Sequence, residues 1–321
     1  MKFQHFWVLI LAGFLALGGF VAWQKWQSQS SETLPAVKPE DRAGTLVLAE
    51  IGDSLSEKQA AFGPFAAFLS SKLAESGVKQ VVVAVAKSPA EMAKLVRQGK
   101  VDIYVDSPFP SYIVNKLAGA EPMAIRWKKG LETYHSIIFV PTTSAVRTLD
   151  DLRGTMIAFE KPDSTSAYFL PKAELLKRGY TLVRKEKPTD PVEPGEIGYY
   201  FTFDDKKVVA DVGSGVADAG GQNEEEFVEF VGQSRGDFRF LLTTVDVYRH
   251  VLSVRRDLDP TLKESLRQLL LSLDGTAEGR EALAQFEKTA KFTPSPVGQA
   301  GPWAQIAALA SLVEREILGE E

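Results

Sequence analysis

Apolar positions from residue 45 onward form short runs and amphipathic stretches in turn. The short runs cover 46–49, 81–85 and 101–105, and the amphipathic stretches 61–73 and 89–98 lie between them. This strand-helix-strand-helix-strand order is typical of a parallel sheet covered by helices. Ligands bind at the carboxyl ends of the strands in such sheets. The pattern therefore predicts an α/β fold with its site at that edge.

A second α/β segment follows. It is predicted to contain strands at 136–140, 156–159, 199–203 and 216–219, and helices at 148–154, 171–178 and 206–212. Residues 184–198 are rich in Pro, Glu and Lys and predict a surface loop. The last part of the chain predicts a strand at 251–254 and helices at 261–273, 278–289 and 302–318.

Three consecutive hydroxyl residues, Ser164, Thr165 and Ser166, lie between a predicted strand and a predicted helix. Gly179 is placed to end that helix. Hydroxyl groups and the N–H groups of a helix start can converge on one polar or anionic ligand. Ser and Thr also cap helices without binding anything. The spacing alone leaves both interpretations open.

The first 26 residues form a separate segment. An uncharged apolar stretch of 18 residues, 6–23, follows Lys2 and precedes Trp26. The stretch borders the minimum length for a bilayer span and lacks a small-x-small cleavage site after it. We therefore favour an uncleaved membrane anchor at 1–26 over a cleaved signal, and expect the rest of the protein outside the cytoplasm. The polar, Pro-bearing residues 27–44 predict a flexible linker.

Composition excludes several classes of function. The chain has no cysteine, and its net charge is −5. Disulfides, thiol catalysis and Cys-ligated zinc are thereby excluded, and the charge is unlike that of a nucleic-acid-binding domain. The acidic run 224–226 suggests either a metal site or a solvated helix start, and we favour the helix start. We expect no cofactor, no metal and no enzymatic activity, because no acid is visibly paired with a base.

Six segments in order resemble the phosphate/phosphonate-type, PhnD-like substrate-binding proteins of ABC importers. The resemblance covers most of residues 45–290. The segments are Gly99-Lys100-Val101-Asp102-Ile103 running to Ser107-Pro108, Ala118-Gly119-Ala120-Glu121-Pro122, Thr133-Tyr134-His135-Ser136-Ile137-Ile138, Leu149-Asp150-Asp151-Leu152-Arg153-Gly154, Asp163-Ser164-Thr165-Ser166-Ala167-Tyr168-Phe169-Leu170-Pro171 and Arg255-Arg256-Asp257-Leu258-Asp259-Pro260.

The resemblance implies a type II periplasmic binding protein, with two lobes that close on a ligand like a hinge. By analogy, lobe one is 45–136 with 242–300, lobe two is 137–241, and 301–321 is a C-terminal helix. The implied function is capture of a small polar anion, phosphonate-like or phosphate-like, for an ABC permease. The alternative is a tethered sensor that signals ligand binding to a membrane partner. In both cases we expect a monomer.

The resemblance also implies which residues face the ligand. Its donors would be Ser164, Thr165 and Ser166, with Tyr134, Asp106, Ser107, Asp204 and Tyr168 around them.

The chain departs from the family pattern at Asp106, which stands where an apolar residue is usual, and at Asp204, in the stretch Phe203-Asp204-Asp205, which lacks the His that the family often has in its Ser-His-Asp stretch. The two acids are expected either to hold an amine or a metal or to point to solvent. Asp106 alternatively caps the turn that follows it. A core position for Tyr168 is equally consistent with the sequence.

Overall fold

The structure, a computed structural model, describes residues 42–295 and 302–318. The predicted anchor 1–26 and nearly all of the predicted linker 27–44 lie outside these residues. Within the two described ranges, none of the helices combines the length and apolar character that a bilayer span requires.

Strands and helices alternate along most of the described chain, which confirms the predicted α/β class. The strands are β1 (Thr45–Ile51), β2 (Gln80–Ala86), β3 (Ile103–Asp106), β4 (Glu121–Lys128), β5 (Thr133–Tyr134), β6 (Ser136–Pro141), β7 (Met156–Phe159), β8 (Thr181–Arg184), β9 (Glu196–Phe201), β10 (Ala219–Asn223), β11 (Phe238–Thr243), β12 (Val247–Tyr248), β13 (His250–Val254) and β14 (Thr289–Pro294). The α-helices are α1 (Leu55–Lys72), α2 (Pro89–Arg97), α3 (Pro108–Ala118), α4 (Leu170–Lys177), α5 (Asp205–Gly213), α6 (Glu224–Val231), α7 (Pro260–Ser272), α8 (Ala277–Gln285) and α9 (Pro302–Leu318).

Two six-stranded sheets organise the fold. The first has the spatial order β14-β4-β13-β3-β1-β2, and the second has the order β11-β6-β10-β7-β9-β8. Strands β1, β2 and β3 are mutually parallel, as predicted, and so are β7 to β10, which are adjacent in the second sheet and include its edge strand β8. Successive residues of β1 point to opposite faces of the sheet. Both faces are buried: Leu46 and Leu48 belong to one apolar cluster, and Val47 and Ala49 belong to another. Helices therefore cover both faces of the sheet.

The chain passes from one sheet to the other twice. The two crossing segments pair with each other as β5 and β12, with Val247 opposite Tyr134. We call the parts of the fold built on the first and the second sheet the first and the second half. A separate apolar cluster near the crossing joins these halves: it contains Phe109 and Ile113 of α3, Leu170 of α4, and residues of α9. Helix α9 therefore packs on both halves at once.

The strand predicted at 216–219 is displaced along the chain. The observed strand β10 begins at Ala219, and Val216 is exposed in the preceding turn. Two glycines in β10 are disfavoured by strand propensity, but they leave room for aromatic rings of neighbouring strands. A Cβ on Gly220 would lie 2.7 Å from Phe139, and one on Gly221 would lie 2.6 Å from Phe159. The position of this strand is therefore determined by packing against the rings of Phe139 and Phe159, and not by the strand propensity of its own residues.

The predicted helix 278–289 is too long at its C-terminal end. Helix α8 ends at Gln285, and Glu287 and Lys288 then adopt positive φ angles of 48° and 56°. The chain thereby reverses into β14, which pairs with β4 at the edge of the first sheet. The reversal brings the Glu287 carboxylate to the buried guanidinium of Arg126, at 3.1 Å. A long-range ion pair accompanies this end of the helix, and no local sequence signal announces it.

Candidate functional site

The three predicted hydroxyl residues lie where β7 leads into α4. Ser164 caps the segment, since its Oγ accepts a hydrogen bond from the N–H of Ala167 at 3.2 Å. The next five residues, Thr165–Phe169, form a π-helical turn, with the N–H of Phe169 donating to the carbonyl of Ser164 at 2.9 Å. Single π turns are frequent at functional sites. The cap interpretation is thus correct for Ser164, and the π turn that follows it is buried.

Thr165 links the two halves of the fold directly. Its Oγ1 accepts from the N–H of Phe109 at 3.1 Å and donates to the Oγ of Ser107 at 2.9 Å. The rings of Phe109 and Phe169 stack beside this bond, with centroids 3.7 Å apart. The Thr165 hydroxyl is therefore occupied by holding the start of α3 against the π turn.

Tyr134 lies under the same turn and is buried. Burial raises the pKa of its hydroxyl, although hydrogen bonds with Thr165 and Ser166 act in the opposite direction. The guanidinium of Arg249 lies 4.5 Å from the centroid of the Tyr134 ring. Tyr134 thus supports the hydroxyl turn as a neutral phenol and fixes an arginine beside it.

These residues surround a cavity of about 230 Å³ between the two sheets. Its walls come from both halves and are almost entirely polar or charged. The lining residues are Glu50, Ile51, Lys58, Asp106, Ser107, Lys128, Tyr134, Glu160, Lys161, Asp163, Ser164, Thr165, Ser166, Asp205, Glu226, Arg249 and His250. Six of the eight residues predicted for the site are therefore brought together: Asp106, Ser107, Tyr134, Ser164, Thr165 and Ser166.

The structure does not bring Tyr168 and Asp204 into this cavity. Tyr168 is buried in the core of the second half, and its hydroxyl accepts from Nζ of Lys172 at 2.7 Å. Asp204 caps α5, with its carboxylate accepting from the N–H of Lys207 at 3.0 Å. The adjacent Asp205 lines the cavity instead.

Each cation that lines the cavity has a carboxylate partner. The pairs are Lys58 with Glu50, Lys128 with Glu287 at 3.1 Å, Lys161 with Asp163 at 3.7 Å, and Arg249 with Glu226 at 3.0 Å. Buried charges require such partners because the desolvation of an isolated ion in a low-dielectric interior costs on the order of several kcal/mol of folding free energy. His250 carries no charge near neutral pH, because burial, reinforced by the cations around it, holds its pKa well below the usual range.

Three carboxyl groups of the lining remain outside these pairs: Asp106, Glu160 and Asp205. Burial, with a further contribution from Glu50 and other carboxylates, raises the pKa of Asp106 to about 7. Burial likewise raises the pKa of Glu160 to about 7, and it raises the pKa of Asp205. The cavity therefore holds two carboxyl groups that change charge near neutral pH.

The sequence left two interpretations of Asp106, a residue that lines the site and a cap of the following turn, and its side chain does both. Its Oδ1 accepts from the N–H of Ser107 at 2.7 Å, which caps the turn, while its Oδ2 accepts from the hydroxyl of Tyr104 at 3.1 Å. The same carboxyl group lines the cavity.

The acidic run 224–226 also has two roles. It begins helix α6, as predicted, and its Glu226 lines the cavity and pairs with Arg249. The described residues contain no cluster of three potential metal ligands.

Sequence reasoning missed most of the charged lining. Glu50 and Glu160-Lys161 directly follow or end buried parallel strands, so the strand-end rule could have found them. Arg249 lies between β12 and β13, His250 is the first residue of β13, and Lys128 ends an edge-proximal strand; no local pattern distinguishes these three.

The fold and the position of the cavity define a periplasmic-binding-protein architecture, with two sheets and a polar site between them. Residues 53–296 match the family described as ABC transporter, phosphonate, periplasmic substrate-binding protein. The chain belongs to this PhnD-like family, whose members bind small molecules outside the cytoplasm and work with an ABC permease.

Solved structures support the same fold. XAC2383 from Xanthomonas citri, in forms bound to chloride ion and to ATP, is 25% identical over 85% of this chain and 100% or 98% of its own, with TM-scores of 0.80 and 0.78. A phosphonate transporter binding protein from Pseudomonas aeruginosa, PA3383, is 19% identical over 87% of this chain and 89% of its own, with a TM-score of 0.61. PhnD1 from Prochlorococcus marinus, in complex with methylphosphonate, is 16% identical over 87% of this chain and 99% of its own, with a TM-score of 0.61.

The raised pKa of Asp106 predicts a pH-dependent effect of Asp106→Asn. A carboxyl group with a folded-state pKa of about 7 and a usual value of 3.8 favours the folded state in its protonated form, so its contribution to stability is lost as pH rises through this window. The neutral variant escapes this loss. The unfolding free energy of Asp106→Asn relative to wild type should therefore be higher at pH 8 than at pH 5, by about 1–3 kcal/mol.

Denaturant unfolding at the two pH values measures this difference. Asp151→Asn is the matched control, because backbone hydrogen bonds lower the pKa of that exposed carboxyl group, and its effect is then constant between pH 5 and pH 8. A relative stability of Asp106→Asn that is equal at both pH values, or lower at pH 8, would contradict the burial argument.

Proposed function

We propose that this protein captures a small phosphorus-containing anion, phosphonate-like or phosphate-like, between its two halves and delivers it to the permease of an ABC importer. The observation that carries the proposal is the convergence of the hydroxyl turn, Asp106-Ser107 and Tyr134 on one polar cavity. The anions in the XAC2383 and PhnD1 structures, chloride, ATP and methylphosphonate, agree with an anion-binding role. The protein acts as a monomer and catalyses no reaction on its ligand.

Within the cavity, Ser164 and Ser166 are the groups proposed to hold the anionic end. Both hydroxyls line the cavity, together with the start of the π turn, where helical N–H groups lack intrahelical partners. Thr165 has a different role: its hydroxyl positions the turn through Ser107 and Phe109. Lys161 and Arg249 add positive charge at the same wall, although each is already paired with a carboxylate.

The ligand is further proposed to carry an amino group. Asp106, Glu160 and Asp205 lie outside the four ion pairs of the cavity, and a bare dianion would face their repulsion. Two unit charges about 4 Å apart interact by about 4 kcal/mol at an effective dielectric constant of 20. An ammonium group on the ligand converts this repulsion into attraction, so an aminophosphonate suits the cavity better than phosphate.

The lobes and hinge are assigned in the same proposal. Lobe one comprises 45–136 with 242–300, lobe two comprises 137–241, and 301–321 is the C-terminal helix. The pairing of β5 with β12, where the chain crosses between the sheets, supports a hinge at this point. Closure on the ligand then holds the hydroxyl turn of lobe two against the Asp106-Ser107 edge of lobe one, where Thr165 already bonds to Ser107.

Ser166→Ala tests the anion site. Loss of this hydroxyl should weaken 2-aminoethylphosphonate and ethylphosphonate alike, by about 1–3 kcal/mol, because a buried polar contact is lost. Titration calorimetry measures both affinities, and Ser71→Ala, on an exposed face of α1, is the matched control. Equal affinities of Ser166→Ala and wild type would contradict the site. Equal affinities of the two ligands for wild type at pH 8 would contradict the amino group.

The N-terminal residues 1–26 are proposed to remain attached as a membrane anchor, with 27–44 as the linker. The support is the uncharged stretch of 18 residues and the absence of a cleavage site after it. Native protein should fractionate with membranes at the full mass of 35.2 kDa. A chain whose first 26 residues are exchanged for a cleavable signal peptide should be soluble. A soluble native form that begins near residue 19 or 23 would show that the segment is a cleaved signal.

A further inference from the structure

A second cavity opens beside the charged one. It has a volume of about 310 Å³ and, like the first, takes its walls from both halves. The first half contributes Ile51-Gly52-Asp53 and Lys87-Ser88-Pro89, and the second half contributes Lys161-Pro162-Asp163 and Phe203. Three residues, Ile51, Lys161 and Asp163, line both cavities. The two spaces are therefore neighbouring parts of one cleft.

The chemistry of the second cavity differs from that of the first. Ile51, Pro89, Pro162 and Phe203 give it apolar walls, whereas the first cavity is lined mainly by charged groups and hydroxyls. Ligand sites usually combine an apolar part with a few polar groups that fix orientation. A cavity of about 150 Å³ is enough for benzene, so the second cavity has room for a ring.

Phe203 has an unusual conformation at this wall. Its side chain is 70% exposed, and its backbone has a positive φ of 56°. The N–H groups of Thr202 and Phe203 donate to the carbonyls of Phe159 and Glu160, at 2.9 and 2.8 Å, which fix the residue beside Lys161. A left-handed backbone is disfavoured for a bulky residue. The ring of Phe203 lies 6.0 Å from that of Phe201 and is nevertheless mostly exposed. Gly or Asn would make this turn at lower cost.

We propose that the second cavity binds a planar, aromatic or heteroaromatic group of the same ligand, stacked on Phe203, while the charged end of the ligand occupies the first cavity. The inference rests on the proposed function and extends it to a ligand larger than a simple alkylphosphonate. A ring that slides between Phe203 and Pro89 covers the exposed aromatic face, which otherwise stays in water. Aromatic rings prefer such offset contacts.

Variants of Phe203 test this proposal. In Phe203→Gly the backbone keeps its left-handed conformation without strain, so the turn is preserved while the ring is lost. We expect wild type to bind phenylphosphonate about tenfold more tightly than methylphosphonate, and Phe203→Gly to lose this preference. Phe203→Trp should retain it. A preference that persists in Phe203→Gly, or that is absent in wild type, would overturn the proposal.

The control is Val228→Ala, which removes another exposed apolar side chain, on α6 and outside both cavities. It should leave both affinities unchanged. Crystals soaked with benzyl alcohol provide a second measurement that needs no phosphonate binding. A ring against Phe203 in wild type, absent from Phe203→Gly, supports the second cavity. If neither methylphosphonate nor 2-aminoethylphosphonate binds, the proposed function fails, and the soaked crystals alone then decide: an empty second cavity overturns this inference.

Discussion

The enclosure of charged groups between the two sheets is the constraint on which the site depends. Four cations in the lining are each matched by a carboxylate, and Asp106, Glu160 and Asp205 are left over. Buried carboxylates without a cation become protonated more readily. This explains why the pKa values of Asp106 and Glu160 lie at about 7, and it makes the charge of the cavity dependent on pH.

The contacts that hold the halves together are of a different kind. Thr165 bonds to Ser107 and Phe109, the rings of Phe109 and Phe169 stack, and α9 packs on both halves. These contacts lie at one wall of the cavity, beside the hydroxyl turn. The hydroxyl of Thr165 thereby has a structural role, whereas Ser164, which also caps the turn, and Ser166, which also bonds to Tyr134, line the cavity.

Much of the fold could be predicted because periodicity is a local signal. The strands β1, β2, β6 and β7 and most helices follow it closely. The position of β10 was predicted wrongly because Gly220 and Gly221 are poor strand formers. Only the contact with the rings of Phe139 and Phe159 shows why glycine is needed there. The site divides in the same way. The hydroxyl turn and the strand-end acid Asp106 were predicted, whereas the strand-end acids Glu50 and Glu160 were missed. Lys128, Arg249 and His250 meet the site only through folding.

The charge of the cavity can be tested by the protons that binding exchanges. Titration calorimetry at pH 7 in buffers of different ionisation enthalpy gives this number for ethylphosphonate and 2-aminoethylphosphonate. The difference between wild type and the double variant Asp106→Asn, Glu160→Gln removes the ligands' own proton exchange and that of the other titratable groups. We expect net proton uptake by these two carboxyl groups with ethylphosphonate, because an anion raises their pKa. With 2-aminoethylphosphonate we expect net proton release, because an ammonium group lowers their pKa. The same proton number for wild type and the double variant with both ligands would contradict the account.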